Sequence, residues 1–224
     1  MTRFAIFGVA TIAAAAGAAV LTSYPGPAAA EGVKVPPPAL VERNQGRREV
    51  AILAGGCFWG VEAVYEHVRG VTDVVSGFAG GGSGGASYAS VSSGRTGKAE
   101  AVRITFDPSK VSYAELLRIF FSVVADPTQV NRQGPDVGAQ YRTAIFPQSA
   151  SQQRVAKAYL AQLSKGHVFR RPIATRIEAT GRFSAAEAYH QDFMRKNPAH
   201  PYIVVHDRPK VAALKRMFPD RFRG

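Results

Sequence analysis

Cysteine is all but missing from this chain: Cys57 is the only one among 224 residues. One cysteine cannot close an internal disulfide, even in a compartment that permits them. A lone thiol in an exported protein points instead to a reactive group or to pairing between molecules. Acids are also scarce, 16 against 28 lysines and arginines, for a net charge of +12. No nucleic-acid motif accompanies that excess, so charge alone does not make this a nucleic-acid binder. The five histidines, His67, His167, His190, His200 and His206, share no metal-ligand spacing, and no metal is expected. Gly80 to Gly85 is glycine-rich but lacks a following Gly-Lys-Ser/Thr, which excludes a phosphate cradle and leaves a mobile loop. No internal repeat is present.

Long apolar runs are confined to the start. Arg3 precedes an alanine-rich stretch from Phe4 to Leu21, followed by Pro25, Pro27 and Ala28-Ala29-Ala30. A basic start, an apolar stretch and a small-residue cleavage site describe a signal peptide over 1–30, cut after Ala30. The alternative is an uncleaved anchor, since about 20 apolar residues span a bilayer. With no twin arginine and no cysteine at the cut, neither a twin-arginine route nor a lipoprotein anchor is expected. Residues 31–47, with Pro36-Pro37-Pro38, read as an extended tether, and 48–224 as a single domain. The expected location is outside the cytoplasm, in the periplasm.

Cys57 lies in Gly55-Gly56-Cys57-Phe58-Trp59-Gly60. Val50 to Ala54 reads as a buried strand before it, and Val61, Val64, Tyr65 and Val68 recur at helical spacing after it. A strand–glycine turn–helix junction sets the thiol at the first turn of a helix, where backbone N–H groups and the dipole favour an anion. The expectation is a thiol acidified below about 8.5, hence a nucleophile. A buried, inert cysteine is the ordinary alternative.

Further along, Val71–Ala79 and Ala99–Phe106 alternate as strands. Ser112 to Glu115 forms a capping box that opens a helix with Leu116, Leu117, Phe120, Phe121 and Val124 inward, stopped at Asp126-Pro127. Tyr141–Phe146 and Ile173–Ala179 are expected strands, with a helix capped at Ser149–Gln152 between them. Ser184 to Glu187 reads as a further capping box for a helix reaching Lys196. Val211, Leu214, Met217 and Phe218 space a basic amphipathic C-terminal helix, docked by its apolar side with the charges in solvent. Strands and helices mix without strict alternation, so the class is α+β, a mixed sheet with helices packed on it. Glu100 is in phase with Val102, Ile104 and Phe106. Facing inward it would be a carboxyl with a raised pKa, suited to general acid work. At a strand end it could equally swing into solvent.

Gly-Cys-Phe-Trp-Gly around Cys57 resembles the active-site motif of the A-type peptide methionine sulfoxide reductases. Three more blocks follow in order: Tyr88 with Ser93 to Val102, Asp136 to Arg142, and Phe183 to Pro198. The resemblance implies a two-layer sandwich with a ferredoxin-like core. It implies reduction of methionine-S-sulfoxide, free or peptide-bound, and so the repair of oxidised proteins. Cys57 would be the nucleophile, Glu100 the proton donor, and Tyr88 and Tyr141 the phenols on the sulfoxide oxygen. Asp136 would order the site, though it also fits a turn after Gly134-Pro135. Phe58 and Trp59 would seat the substrate methyl group, with core packing as the alternative. Lys98 and Ala139 depart from the histidine and threonine of many members. The larger departure is the lack of a resolving cysteine, which makes this a single-cysteine variant. No bound cofactor is implied, only an external thiol: a thioredoxin-like protein, a glutaredoxin or glutathione. A monomer is expected.

Three other readings compete. Papain-like hydrolases pair a cysteine with a histidine about 130–150 residues on, and His190 stands at that remove, with Asn197 beyond. A thiol peroxidase would use the same nucleophile. A basic binding module would leave Cys57 buried and idle.

Overall fold

Short apolar segments, several of them buried along most of their length, pair into one sheet. The computed structural model describes residues 32–42, 48–82 and 84–224. Its central strands are β1 (Glu49–Gly55), β2 (Val71–Ala79) and β3 (Ala99–Phe106). Between them lie the helices α1 (Phe58–Glu66) and α2 (Tyr88–Ser92). Helix α3 (Tyr113–Ile119) continues through a π-turn over Phe120–Val124. The short strands β4 (Arg132–Gln133) and β5 (Asp136–Val137) make a separate hairpin. Next come β6 (Thr143–Phe146), α4 (Ala150–Lys165), β7 (Arg176–Ile177) and β8 (Ser184–Ala185). Helices α5 (Phe193–Lys196) and α6 (Arg208–Met217) close the chain.

The main sheet runs β7-β6-β1-β3-β2-β8. Its inner four, β6-β1-β3-β2, are antiparallel at every step, and only β7 is parallel to its neighbour β6. With α1 between β1 and β2, this is the expected α+β sandwich with a ferredoxin-like core. One face of the sheet packs on the helices: Leu53, Val102, Ile104 and Phe106 join Val64, Tyr65, Leu117, Tyr159 and Leu214 in the main core. The other face carries a thinner cluster, Ile52, Ala54, Ala79, Ala99, Ala101, Ala144 and Phe146. α6 docks by its apolar side, with Ala213 and Leu214 buried, and Lys215 and Arg216 exposed.

Four expectations need correction. Residues 32–42 are not a free tether. Val35 is 1% exposed within the main core, and its N–H donates to Ser122 Oγ at 3.1 Å. Tyr159 and Gln162 reach the carbonyls of Pro36 and Pro37 at 2.7 and 2.9 Å. A proline run has unpaired carbonyls, and these side chains use them. The stretch read as a signal peptide, 1–30, lies outside the described residues, as do residues 43–47. Second, the Ser184 segment pairs with β2 as β8 and opens no helix. Gln191 bonds both Ser76 N–H and Ser76 carbonyl at 2.9 Å, holding the segment on the sheet edge. Glu187 serves Tyr88 N–H at 3.0 Å in place of a cap. Third, the strands expected over 141–146 and 173–179 are shorter, since Tyr141 closes a 3-10 turn and only Arg176–Ile177 pairs. Fourth, the glycine-rich stretch is tied at its start. Buried Lys98 donates to the carbonyls of Gly80 and Gly82 at 3.1 Å and of Arg182 at 3.3 Å.

Candidate active site

The nucleophile turn is built by backbone geometry. Gly56 has φ +91°, and a Cβ there would sit 2.5 Å from Gln133 Cβ. Gln133 in turn clamps Asp126, accepting from its N–H at 3.1 Å and donating to its carbonyl at 2.6 Å. The turn that bears Cys57 and the loop leading to Asp136 are thereby packed together. Cys57 is the N-cap residue of α1 and is 8% exposed, with no cap bond from its side chain.

Glu100 faces the same turn. It is 2% exposed, and its Oε2 accepts the Phe58 N–H at 3.0 Å. The inward phase read from β3 therefore holds. Burial pushes its carboxyl up to about 8, opposed by the Phe58 N–H and helped by Asp136. At neutral pH it is largely the neutral acid, able to donate. Tyr88 and Tyr141, both half-buried, are pushed up by burial and next by the charge of Glu100, and Cys57 acts on each. Asp136 accepts the hydroxyl of Tyr202. The five residues assigned to chemistry thus converge on one end of α1.

The thiol itself differs from expectation. Burial raises Cys57 well above the usual thiol range, and Glu100 and Asp207 push further in that direction. The Trp59 N–H and Lys210 oppose them without prevailing. The helix end does favour an anion, but desolvation and two carboxyls outweigh it. Cys57 rests as the thiol.

Phe58 is 1% exposed and packs against Phe78 and His190, ring centres 5.8 and 5.0 Å away. Trp59 is half-buried and stacks on Phe193 at 3.7 Å. Its Nε1–H donates to His190 Nδ1 at 3.1 Å. His190 is thus engaged with the indole rather than with Cys57, unlike the histidine of a papain-like pair. Tyr202 and the Asp207–Lys210 pair were not found by sequence reading. They lie in the C-terminal stretch, where the charges invite a surface reading. The one available signal was Asp207 just before Arg208-Pro209, a helix start. Arg142, next to Tyr141, forks onto Glu178 at 2.9 and 2.8 Å and donates to the carbonyls of Ala139 and Gly97. It joins the Tyr141 turn to the approach of β3. Among the described residues no group of three His, Cys, Asp or Glu could hold a metal ion, and no helix is long and apolar enough to cross a membrane.

Residues 49–221 match the family described as peptide methionine sulfoxide reductase. Among curated relatives, the peptide methionine sulfoxide reductase MsrA 2 of Mesorhizobium japonicum is 54% identical over 171 residues, covering 76% of this chain and 88% of its own. That of Synechocystis is 52% identical over 176 residues, 79% of this chain and 82% of its own. Among solved structures, reduced Mxr1 of Saccharomyces cerevisiae superposes with a TM-score of 0.62 at 32% identity, over 75% of this chain and 96% of its own. Methionine sulfoxide reductase A of Corynebacterium diphtheriae gives 0.59 at 30% identity, over 75% of this chain and 85% of its own.

Proposed function

The chain belongs to the peptide methionine sulfoxide reductase family, and from that membership we propose that Cys57 attacks the sulfur of methionine-S-sulfoxide while Glu100 protonates its oxygen. The activity is reduction of methionine sulfoxide, a repair of oxidised protein. One observation supports the residue roles above the others. A buried, neutral carboxyl is hydrogen-bonded to the first N–H after the thiol.

A sulfoxide oxygen leaves poorly unless it is protonated or hydrogen-bonded. Glu100 supplies the proton, and the phenols of Tyr88 and Tyr141 each donate one directed bond without adding charge. The Cys57 proton replaces the one Glu100 has given. In balance, Cys57–SH and the sulfoxide become Cys57–SOH and the thioether. The substrate sulfur gains two electrons and Cys57 loses two. Asp136, through Tyr202, orders the wall of the site. Trp59 offers the apolar seat for the methyl group, with Phe58 beneath it. The 224 residues hold no second thiol, so an external one attacks the sulfenic acid, releasing water. A thioredoxin-like protein, a glutaredoxin or glutathione fits that role. The proposed setting, exported and periplasmic, rests on the leader-like residues 1–30 and is checked by sequencing the mature N-terminus.

The test is one turnover without reductant. Stoichiometric S-sulfoxide should yield about one methionine per enzyme and add one oxygen to Cys57 by mass spectrometry. Cys57→Ser should yield none. Equal consumption of the R epimer, or oxidation absent from Cys57, would refute the assignment.

A further inference from the structure

Helix α1 offers its first-turn N–H groups and the positive end of its dipole, and Glu100, Cys57 and Asp207 gather at that end. Its own sequence supplies no acid to that turn. Glu100 takes the Phe58 N–H, and the Cys57 sulfur faces the Trp59 N–H. The third group comes from the far end of the chain. Asp207 is 0% exposed, and its Oδ1 lies so close to Gly60 that any Cβ there would overlap it. The same Cβ would stand 2.9 Å from Lys210 Nζ, which bonds Asp207 Oδ1 at 3.1 Å. The bare face of Gly60 is what admits this pair to the helix start. Asp207 Oδ2 is buried without a hydrogen-bond partner, an arrangement that structures rarely keep without use.

We propose that Asp207, pinned by Lys210 on the glycine face of α1, is a positioning residue for specificity: its buried carboxylate beside the helix start disfavours a second anion there, the Cys57 thiolate. This rests on the reading of Cys57 as the nucleophile. The groups that face the thiol are Glu100 from β3, Tyr141 from the turn before β6, Tyr88 from α2, and Tyr202, Asp207 and Lys210 from the C-terminal stretch, with Asp136 of β5 behind Glu100 and Tyr202. Of these Lys210 alone is cationic, and it is already held by Asp207. Burial and the carboxyls acting on the thiol agree in sign with this arrangement.

The consequence is selection between oxidants. Hydrogen peroxide needs only a thiolate: the sulfur attacks one oxygen, the O–O bond breaks, and hydroxide leaves to take a proton. The products are Cys57–SOH and water, reached without Glu100. Methionine sulfoxide brings an oxygen that Glu100 and the phenols can protonate in place. A thiol kept protonated at rest therefore reacts with the sulfoxide and resists the peroxide.

Alkylation by iodoacetamide across pH reads the thiol directly, so its outcome is separable from sulfoxide reduction. In Asp207→Asn the midpoint should fall. A fall of about one unit raises the thiolate fraction at pH 7 about tenfold, with alkylation and peroxide-driven sulfenic acid formation rising alike. Should that variant misfold, Gly60→Ala displaces the carboxylate without altering the charges and favours the helix. Its midpoint should fall too. An unchanged or raised midpoint in a folded variant overturns the proposal. So does a wild-type midpoint below that of free cysteine, about 8.5.

Discussion

Glu100 is held in its useful state at a cost to stability, and the sign can be worked out. Its carboxyl titrates near 4.5 in the unfolded chain and at about 8 in the fold. Between those values the native state binds more protons than the unfolded one, so stability falls as pH rises through that window and levels off above it. Glu100→Gln removes the ionisation while keeping an acceptor for the Phe58 N–H. Its melting temperature should therefore gain on the wild type as pH goes from 5 to 9, with the two curves converging in acid. A parallel offset at every pH would show that Glu100 is not buried as the neutral acid. The same variant should slow the single-turnover rate about 10²–10⁴-fold, the usual worth of general acid assistance. Substrate binding should change little. An unslowed rate would make Glu100 a structural residue, whatever its burial.

Between elements, the telling contacts are polar side chains tying irregular backbone to the sandwich. Arg142 is one: its fork onto Glu178 and two carbonyls is half-sequestered, so Arg142→Ala leaves a carboxylate and two carbonyls without their donor. Breaking a buried pair costs about 3–5 kcal/mol; with Glu178 22% exposed, the lower end is expected in denaturant unfolding, together with loss of activity from the displaced Tyr141 turn. Val35 is another anchor. Val35→Ala should cost about 1.5–3 kcal/mol if residues 32–42 belong to the fold. No change in unfolding midpoint would return that segment to a tether. These cases also show what the sequence could and could not say. β2 and β3 were legible to the residue, because the apolar alternation along the second half of β3 and the glycine run that ends β2 are local patterns. The Ser184–Glu187 box was misread, because the same four residues satisfy a helix start and a sheet edge. Ser76 and Tyr88, distant in the chain, decide between them through Gln191 and Glu187. For Glu100 phase left the inward and solvent readings equal, and burial decides for the inward one, whereas the thiol's position was legible from its glycines. The thiol's protonation was not, since Asp207 lies 150 residues downstream and only the fold brings it to Gly60.

For the molecule as a whole, a single cysteine sets the terms of the return half of the cycle. In the proposed cycle a Cys57 sulfenic acid finds no second cysteine among these 224 residues, and its reduction falls to another molecule. Two routes satisfy the atom balance. An external thiol can attack the sulfenic sulfur, expelling water and leaving a mixed disulfide that a second thiol resolves. A second copy in the thiol form can do the same, giving a Cys57–Cys57 dimer. Geometry separates them. Cys57 is 8% exposed at the base of a turn walled by Trp59, Tyr88, Tyr141 and Tyr202, and a second copy would have to present an equally recessed thiol. Disulfide sulfurs must approach to about 2.05 Å, with Cα atoms within about 7 Å, which two such walls prevent. The net charge of +12 adds repulsion between copies at low salt. A small thiol enters where a second copy of this chain cannot. Glutathione or dithiothreitol should therefore support turnover through a mixed disulfide on Cys57. A thioredoxin specialised for internal disulfides should do less well at equal thiol concentration. Non-reducing gels and intact-mass spectra after one turnover, with limiting glutathione, separate the routes. A glutathione adduct on the monomer that forms and decays at the rate of turnover is the expected result. A covalent dimer that forms first and is recycled at that rate would overturn it.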